Sequence, residues 1–342
     1  MSAARPALRS ASDLPLPATG RLAAGAGGGP AAAVRVRVPA TSANLGPAFD
    51  CAGLALTCHD VLEFTPAGTG LAVEVSGIGA GELPADESHL VVRAFRAACD
   101  ELGWAPPGLR VSAHNGIPQG RGMGSSAAAV VAGVVGAWAL CPDVGEVDRD
   151  AVLRLTTELE GHPDNVAPCL LGGATLSWMT PQGARATRLE VDPSVAPVVL
   201  VPPGTLSTHV ARGLLPDVVP HGDAAHAAGR AALLVQALTR EPSLLLDATE
   251  DRLHQRQRGA AMPESLALVD RLREQGLPAV VSGAGPSVLV LAVAPAGSSS
   301  VPAEADLQAV RRAAPPGWTV LPLDVDADGA RVGHGNSQVS SR

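Results

Sequence analysis

Residues Ala127–Leu140 (AAAVVAGVVGAWAL) carry no charged, hydroxyl or amide side chain. A helix that is apolar on every side cannot lie on a protein surface, so other parts of the chain must enclose it. The stretch falls short of the roughly 18 apolar residues that a membrane span needs and suits a buried helix. Directly before it stands Ile117–Ser126, IPQGRGMGSS, in which Gly120, Gly122 and Gly124 alternate ahead of Ser125 and Ser126. Alternating glycines let a loop curl with its N–H groups inward, and the helix N-terminus adds a partial positive charge. Such a loop suits a polyphosphate. Ser125 and Ser126 are expected as N-caps whose hydroxyls can also reach a metal or phosphate. The same residues equally describe a tight strand-to-helix turn.

Neither the Walker A pattern nor the Rossmann fingerprint fits this spacing. All 25 basic residues are arginine, so Schiff-base chemistry, a Walker A lysine and a protein-kinase strand lysine are excluded. Three further segments combine turn formers with polar side chains. Arg37–Asp50, RVPATSANLGPAFD, runs from an alternating strand into Thr41, Ser42, Asn44 and Asp50. It reads as a ligand-contacting turn or as a plain strand ending. Glu158–Gly173, ELEGHPDNVAPCLLGG, gathers Glu160, His162, Asp164 and Asn165 where a helix stops. A carboxylate there suits Mg²⁺, which takes few protein oxygens beside phosphates, or merely caps the helix. Val280–Val290, VVSGAGPSVLV, places a glycine turn between apolar strands. Arg212 and the arginines of Arg252–Arg258 offer guanidinium groups or form a solvated helix face.

The net charge of −8 and the 2% aromatic content, without tyrosine, leave neither a basic surface nor a stacking platform for nucleic acid. Five cysteines without a CxxC pair argue against a disulfide framework or zinc site. With no apolar leader or span, a soluble cytoplasmic protein without a membrane partner is expected. Strand patterns at Val34–Val38, Ala55–Phe64, Leu71–Val75 and Leu109–Ala113 mix with helical spacing at Leu90–Leu102, Asp150–Glu160 and His226–Thr239. No strict βαβ period runs through them, which predicts an α+β fold. Residues 1–33 and 325–342 lack periodicity and read as flexible tails. The expected domains are 34–185 and 186–324.

In this order, the four segments resemble the three motifs of the GHMP kinase superfamily and, through RVPATSANLGPAFD and EGHPDNVAPCLLGG, its homoserine kinase branch. The resemblance covers about Val34 to Ala294. It implies an N-terminal domain like domain 2 of ribosomal protein S5 and a ferredoxin-like C-terminal domain. It implies ATP-dependent phosphorylation of the L-homoserine hydroxyl, with ATP on Pro118, Gly120, Arg121, Gly122, Met123, Gly124, Ser125 and Ser126. Mg²⁺ is expected near Ser125 or Ser126 and Glu160, which is preferred to Glu158. The substrate set carried over is Asn44, Asp50, His162, Asn165, Thr208, Arg212 and Arg258. Asp50, Asp164, Asn165 and Arg212 form the catalytic set, with Asp50 or Asp164 orienting the hydroxyl. A homodimer is compatible with it. Two positions depart from the pattern: Ala48 stands where glycine is usual, and Arg256 where proline is, two residues before Arg258. Kinases of mevalonate- or sugar-like alcohols, and a non-catalytic ligand-binding member, are the competing expectations.

Overall fold

The computed structural model describes residues 33–295 and 301–334. The N-terminal part contains β1 (Val34–Ala43), β2 (Ala52–Ala67), β3 (Gly70–Gly77), α1 (Leu90–Leu102), β4 (Gly108–Asn115) and α2 (Ser125–Leu140). It continues through α3 (Arg149–Glu160), α4 (Pro163–Leu171), β5 (Ala174–Thr180) and β6 (Gly183–Leu189). The C-terminal part holds β7 (Val195–Val201), α5 (Thr208–Arg212), α6 (His221–Thr239), α7 (Leu245–Ala248), α8 (Pro263–Glu274), β8 (Ala279–Val281) and β9 (Val288–Val293). It ends with α9 (Glu304–Ala313), β10 (Thr319–Pro322) and β11 (Arg331–His334).

β11, β1, β2, β4 and β3 lie side by side in the larger sheet, and β5 and β6 extend it from the first residues of β2. The sheet is antiparallel except for the β3–β4 pair. The apolar segment identified above is α2, and 13 of its 16 residues are buried. It contacts α1, α3, α4 and the sheet, as a helix without a polar face must. Gly133 and Gly136 permit the closest approaches: a Cβ there would lie 2.4 Å from the Val91 carbonyl and 2.6 Å from the Phe64 ring. In the second sheet the order is β10-β7-β9-β8, all antiparallel, with helices between β7 and β8 and α9 between β9 and β10. Numbered within the domain, that order is 4-1-3-2, the ferredoxin-like arrangement the resemblance implied.

Two expectations change. The boundary at 185/186 falls inside β6, which pairs with β5 in the first sheet, so the N-terminal sheet ends at Leu189. The tail expected from Val325 is ordered through His334. Val325 bridges to Leu56, Asp326 is buried, and β11 pairs antiparallel with β1. Of the N-terminal tail, residues 1–32 lie outside the described residues.

Candidate active site

The phosphate-loop candidate runs from β4 into α2. Gly120, Gly122 and Gly124 have φ of 63°, 72° and 69°, a left-handed conformation that alternates along the loop as the sequence suggested. The N-cap of α2 is Gly124 rather than Ser125 or Ser126, and no side chain caps the helix. Its first-turn N–H groups therefore remain available to an anion. Gly124 has no room for a side chain, since a Cβ would lie 1.9 Å from Thr41 Oγ1. Thr41 in turn donates to Asn165 Oδ1 at 2.8 Å, joining the loop to the HPDN segment.

The glycine turn after β8 closes on the same loop. Ser282 Oγ donates to the Gly122 carbonyl at 2.6 Å and pairs with the Ser42 hydroxyl, the two oxygens 2.9 Å apart. Asn44 Nδ2 and Arg258 Nη1 both donate to the Gly283 carbonyl, at 3.0 and 3.2 Å. The turn after β1 is strained, with Asn44, Leu45 and Asp50 at positive φ. Ala48 is not among the positive-φ residues and is buried, so its departure from glycine leaves the turn intact.

A cavity of about 430 Å³ lies between these elements. Asn44, Gly120–Ser126, Glu160, His162, Asp164, Asn165, Thr208, Arg212 and Arg258 all line it. Pro118 and Asp50 are not among the lining residues. Asp50 instead accepts two hydrogen bonds from Arg212, at 2.9 and 2.6 Å, and so aims that guanidinium. The Arg121 guanidinium donates to the carbonyls of Gln119, Pro202 and Pro203. Arg258 is almost fully buried, whereas Arg256 is exposed and pairs with Asp270. Glu160 faces the cavity and accepts from Ser126 Oγ, while Glu158 is exposed.

The electrostatics follow from burial. Desolvation raises the Glu160 carboxyl above its ordinary range against the Ser126 hydrogen bond, so this group favours a cationic partner. Burial disfavours a charged His162, but Asp164, 2.6 Å away, outweighs it and lifts the imidazole pKa. Burial lowers the Arg258 pKa, and Arg212 adds to that. Both guanidinium carbons lie over the Phe49 ring, Arg212 at 5.6 Å and Arg258 at 5.3 Å. Such stacking holds planar cations while leaving N–H groups free for a carboxylate.

Sequence reasoning missed two residues that support the arginines and several that line the cavity. Phe49 and His254 order the arginines: His254 Nε2 lies 2.7 Å from the Gly46 carbonyl, and its Nδ1 lies 3.3 Å from Arg258 Nη1. Phe49 was findable as one of only three phenylalanines in the chain. Leu62, Leu83, Pro84, His89, Leu90 and Val91, most of them apolar, also line the cavity. No local pattern marks them.

Family models described as "GHMP kinases N terminal domain" and "GHMP kinases C terminal" match residues 89–173 and 225–315. The chain belongs to the GHMP kinase family. Within it, the sequence stands with the homoserine kinases. It is 56% identical to the homoserine kinase of Streptomyces avermitilis over 88% of this chain and 96% of that one. The Clavibacter michiganensis homoserine kinase is 52% identical, with coverages of 87% and 93%. Among solved structures, homoserine kinase from Cytophaga hutchinsonii superposes with a TM-score of 0.75 at 25% identity, covering 88% and 97%. An L. major mevalonate kinase, at 16% identity, coverages of 84% and 94% and a TM-score of 0.60, shares the fold.

Proposed function

We propose that this chain transfers the terminal phosphoryl group of ATP to the side-chain hydroxyl of L-homoserine, yielding O-phospho-L-homoserine. The observation that carries this reading is the convergence of Arg212 and Arg258 on the Phe49 ring, in the cavity that the glycine loop also lines. Paired guanidinium groups suit the carboxylate of an amino acid, which mevalonate also has but a sugar lacks. The 50–56% identity to several homoserine kinases supports the amino alcohol over other acids.

The loop N–H groups and the uncapped start of α2 hold the polyphosphate. The Ser126 hydroxyl and Glu160 carboxylate form an oxygen donor pair that fits Mg²⁺, which keeps waters and binds through one or two carboxylates plus phosphates. When bound, Mg²⁺ neutralises charge on the transferring phosphates. The chain's task is mainly positioning, because phosphoryl transfer asks for little covalent help. Asp164 lines the cavity and Asp50 does not, so we assign the hydroxyl-orienting contact to Asp164 and Asn165. Asp50 aims Arg212, and Asn44 braces the turn against Gly283. The five free cysteines and the dependence on ATP support a cytoplasmic setting.

Acceptor-dependent ADP release across L-homoserine, mevalonate and galactose, with the product identified by mass, tests the assignment. Homoserine is expected to be the preferred acceptor by at least roughly a hundredfold in kcat/KM, about 2.7 kcal/mol. Equal turnover of mevalonate, or no acceptor-dependent release with any of the three, overturns it.

A further inference from the structure

We propose that Arg121, although it sits inside the phosphate loop, is a positioning residue for the substrate-binding helix α5 and does not serve the nucleotide. The inference rests on the homoserine kinase reading above. Three hydrogen bonds occupy the Arg121 guanidinium: Nε to the Pro202 carbonyl at 3.0 Å, Nη2 to the Pro203 carbonyl at 2.7 Å and Nη1 to the Gln119 carbonyl at 2.9 Å. Pro202 and Pro203 open the segment that leads from β7 to α5, the helix carrying Thr208 and Arg212. At the other end of that segment, the Leu206 N–H donates to the Gly120 carbonyl at 2.9 Å. Two adjacent residues of the phosphate loop thus grip both ends of residues 202–206.

Few other contacts hold α5. It has five residues and no side-chain N-cap, and only Ala211 within it is buried. The remaining anchors near the cavity are the pairing of Arg212 with Asp50 and its stacking on Phe49. By contrast, the loop backbone from Arg121 to Met123 is fixed independently of the Arg121 side chain, whose one bond inside the loop goes to the Gln119 carbonyl. Thr41 N donates to the Met123 carbonyl, Ser287 N to the Arg121 carbonyl and Ser282 Oγ to the Gly122 carbonyl. Removing the guanidinium therefore frees α5 and leaves the nucleotide loop in place. An arginine is suited to this task because its planar fork spreads five N–H donors over three nitrogens and so spans carbonyls that the donors of a single ammonium nitrogen do not reach together.

The test is steady-state kinetics of full-length Arg121→Ala and Arg121→Lys, with ADP affinity by calorimetry and the melting temperature of each variant. For Arg121→Ala, KM for homoserine is expected to rise about tenfold, with KM for ATP, Kd for ADP and Tm nearly unchanged. Arg121→Lys restores one contact and is expected to fall between. A rise in the ATP and ADP constants without a homoserine effect assigns the guanidinium to the phosphates and overturns the proposal. So does a joint loss of both affinities with a lowered Tm, which marks general structural damage, or no change at all. Wild-type turnover separates this proposal from its parent. If the wild type prefers another alcohol, the homoserine reading fails, and the Arg121 comparison is made with that alcohol's KM.

Discussion

At the scale of single residues, two arginines two positions apart have opposite environments. Arg258 is 1% exposed, stacks on Phe49 and donates to Gly283, whereas the Arg256 side chain is 61% exposed and pairs with Asp270. Truncating a buried charged partner typically costs about 2–5 kcal/mol, while an exposed pair contributes about 0–1 kcal/mol. Arg258→Ala is therefore expected to raise KM for homoserine by roughly 30-fold or more, and Arg256→Ala to leave it within about twofold. Kinetics of the two variants side by side decide this, and an effect confined to Arg256 contradicts the register. The two glutamates at the end of α3 give a parallel contrast. Glu160 meets Ser126 at the cavity and Glu158 points to solvent. Titrating Mg²⁺ against ADP release is expected to show a higher requirement for Glu160→Gln and none for Glu158→Gln.

Elements respond differently, because a loop is held by its neighbours. A Cβ on Gly122 would lie 2.2 Å from the Ser282 carbonyl, whereas one on Gly120 meets only the Thr205 side chain, at 3.2 Å. Both positions have positive φ, so alanine at either carries the same left-handed cost of about 1–2 kcal/mol. The backbone clash adds about 1–3 kcal/mol at Gly122 alone. Gly122→Ala is expected to unfold at lower denaturant than Gly120→Ala, and to weaken both substrates, because the Ser282 turn also anchors Asn44 and Arg258. Equal midpoints argue against this packing. The alternating glycines were legible in the sequence, but their reason was only half so. One face lines the cavity and the other meets the turn after β8, some 160 residues away. The helices were legible where apolar spacing alone determines them, as in α1 and α2. The cap of α2 was misread because serine is the commoner capping residue, while Thr41 occupies the space that any side chain at Gly124 needs. The partners of Arg121 are backbone carbonyls, which leave no trace in residue identities.

The whole molecule is closed by its own C-terminal segment. After the second sheet the chain returns to the first, where β11 pairs with β1 and Asp326 is buried beside His59, 2.6 Å away. Asp326 also accepts the N–H groups of Asp328 and Gly329, and Arg37 lies 3.8 Å off. Periodicity could not reveal this segment, since its stability comes from β1 and from a histidine 267 positions earlier. Burial works against the Asp326 carboxylate, but the His59 hydrogen bond and charge, with the two backbone donors, outweigh it and hold the pKa below the usual range. A carboxyl depressed in the folded state adds stability above its unfolded pKa of about 4, and loses it as pH falls through the folded value. Asp326→Asn is expected to destabilise the protein at pH 7 by about 3–5 kcal/mol, the usual cost of breaking a buried pair. Its stability is also expected to decline less steeply than that of the wild type between about pH 5 and 3, because the titrating group is gone. Chain ending at Leu323 provides the companion measurement: without β11 and Asp326 it loses more than the point variant, since an edge strand is removed as well. Denaturant unfolding of all three proteins at pH 7 and pH 4 separates these outcomes. If truncation leaves the midpoint unchanged, the returning strand is an accessory to the fold, and the closure of the first sheet is complete at β1.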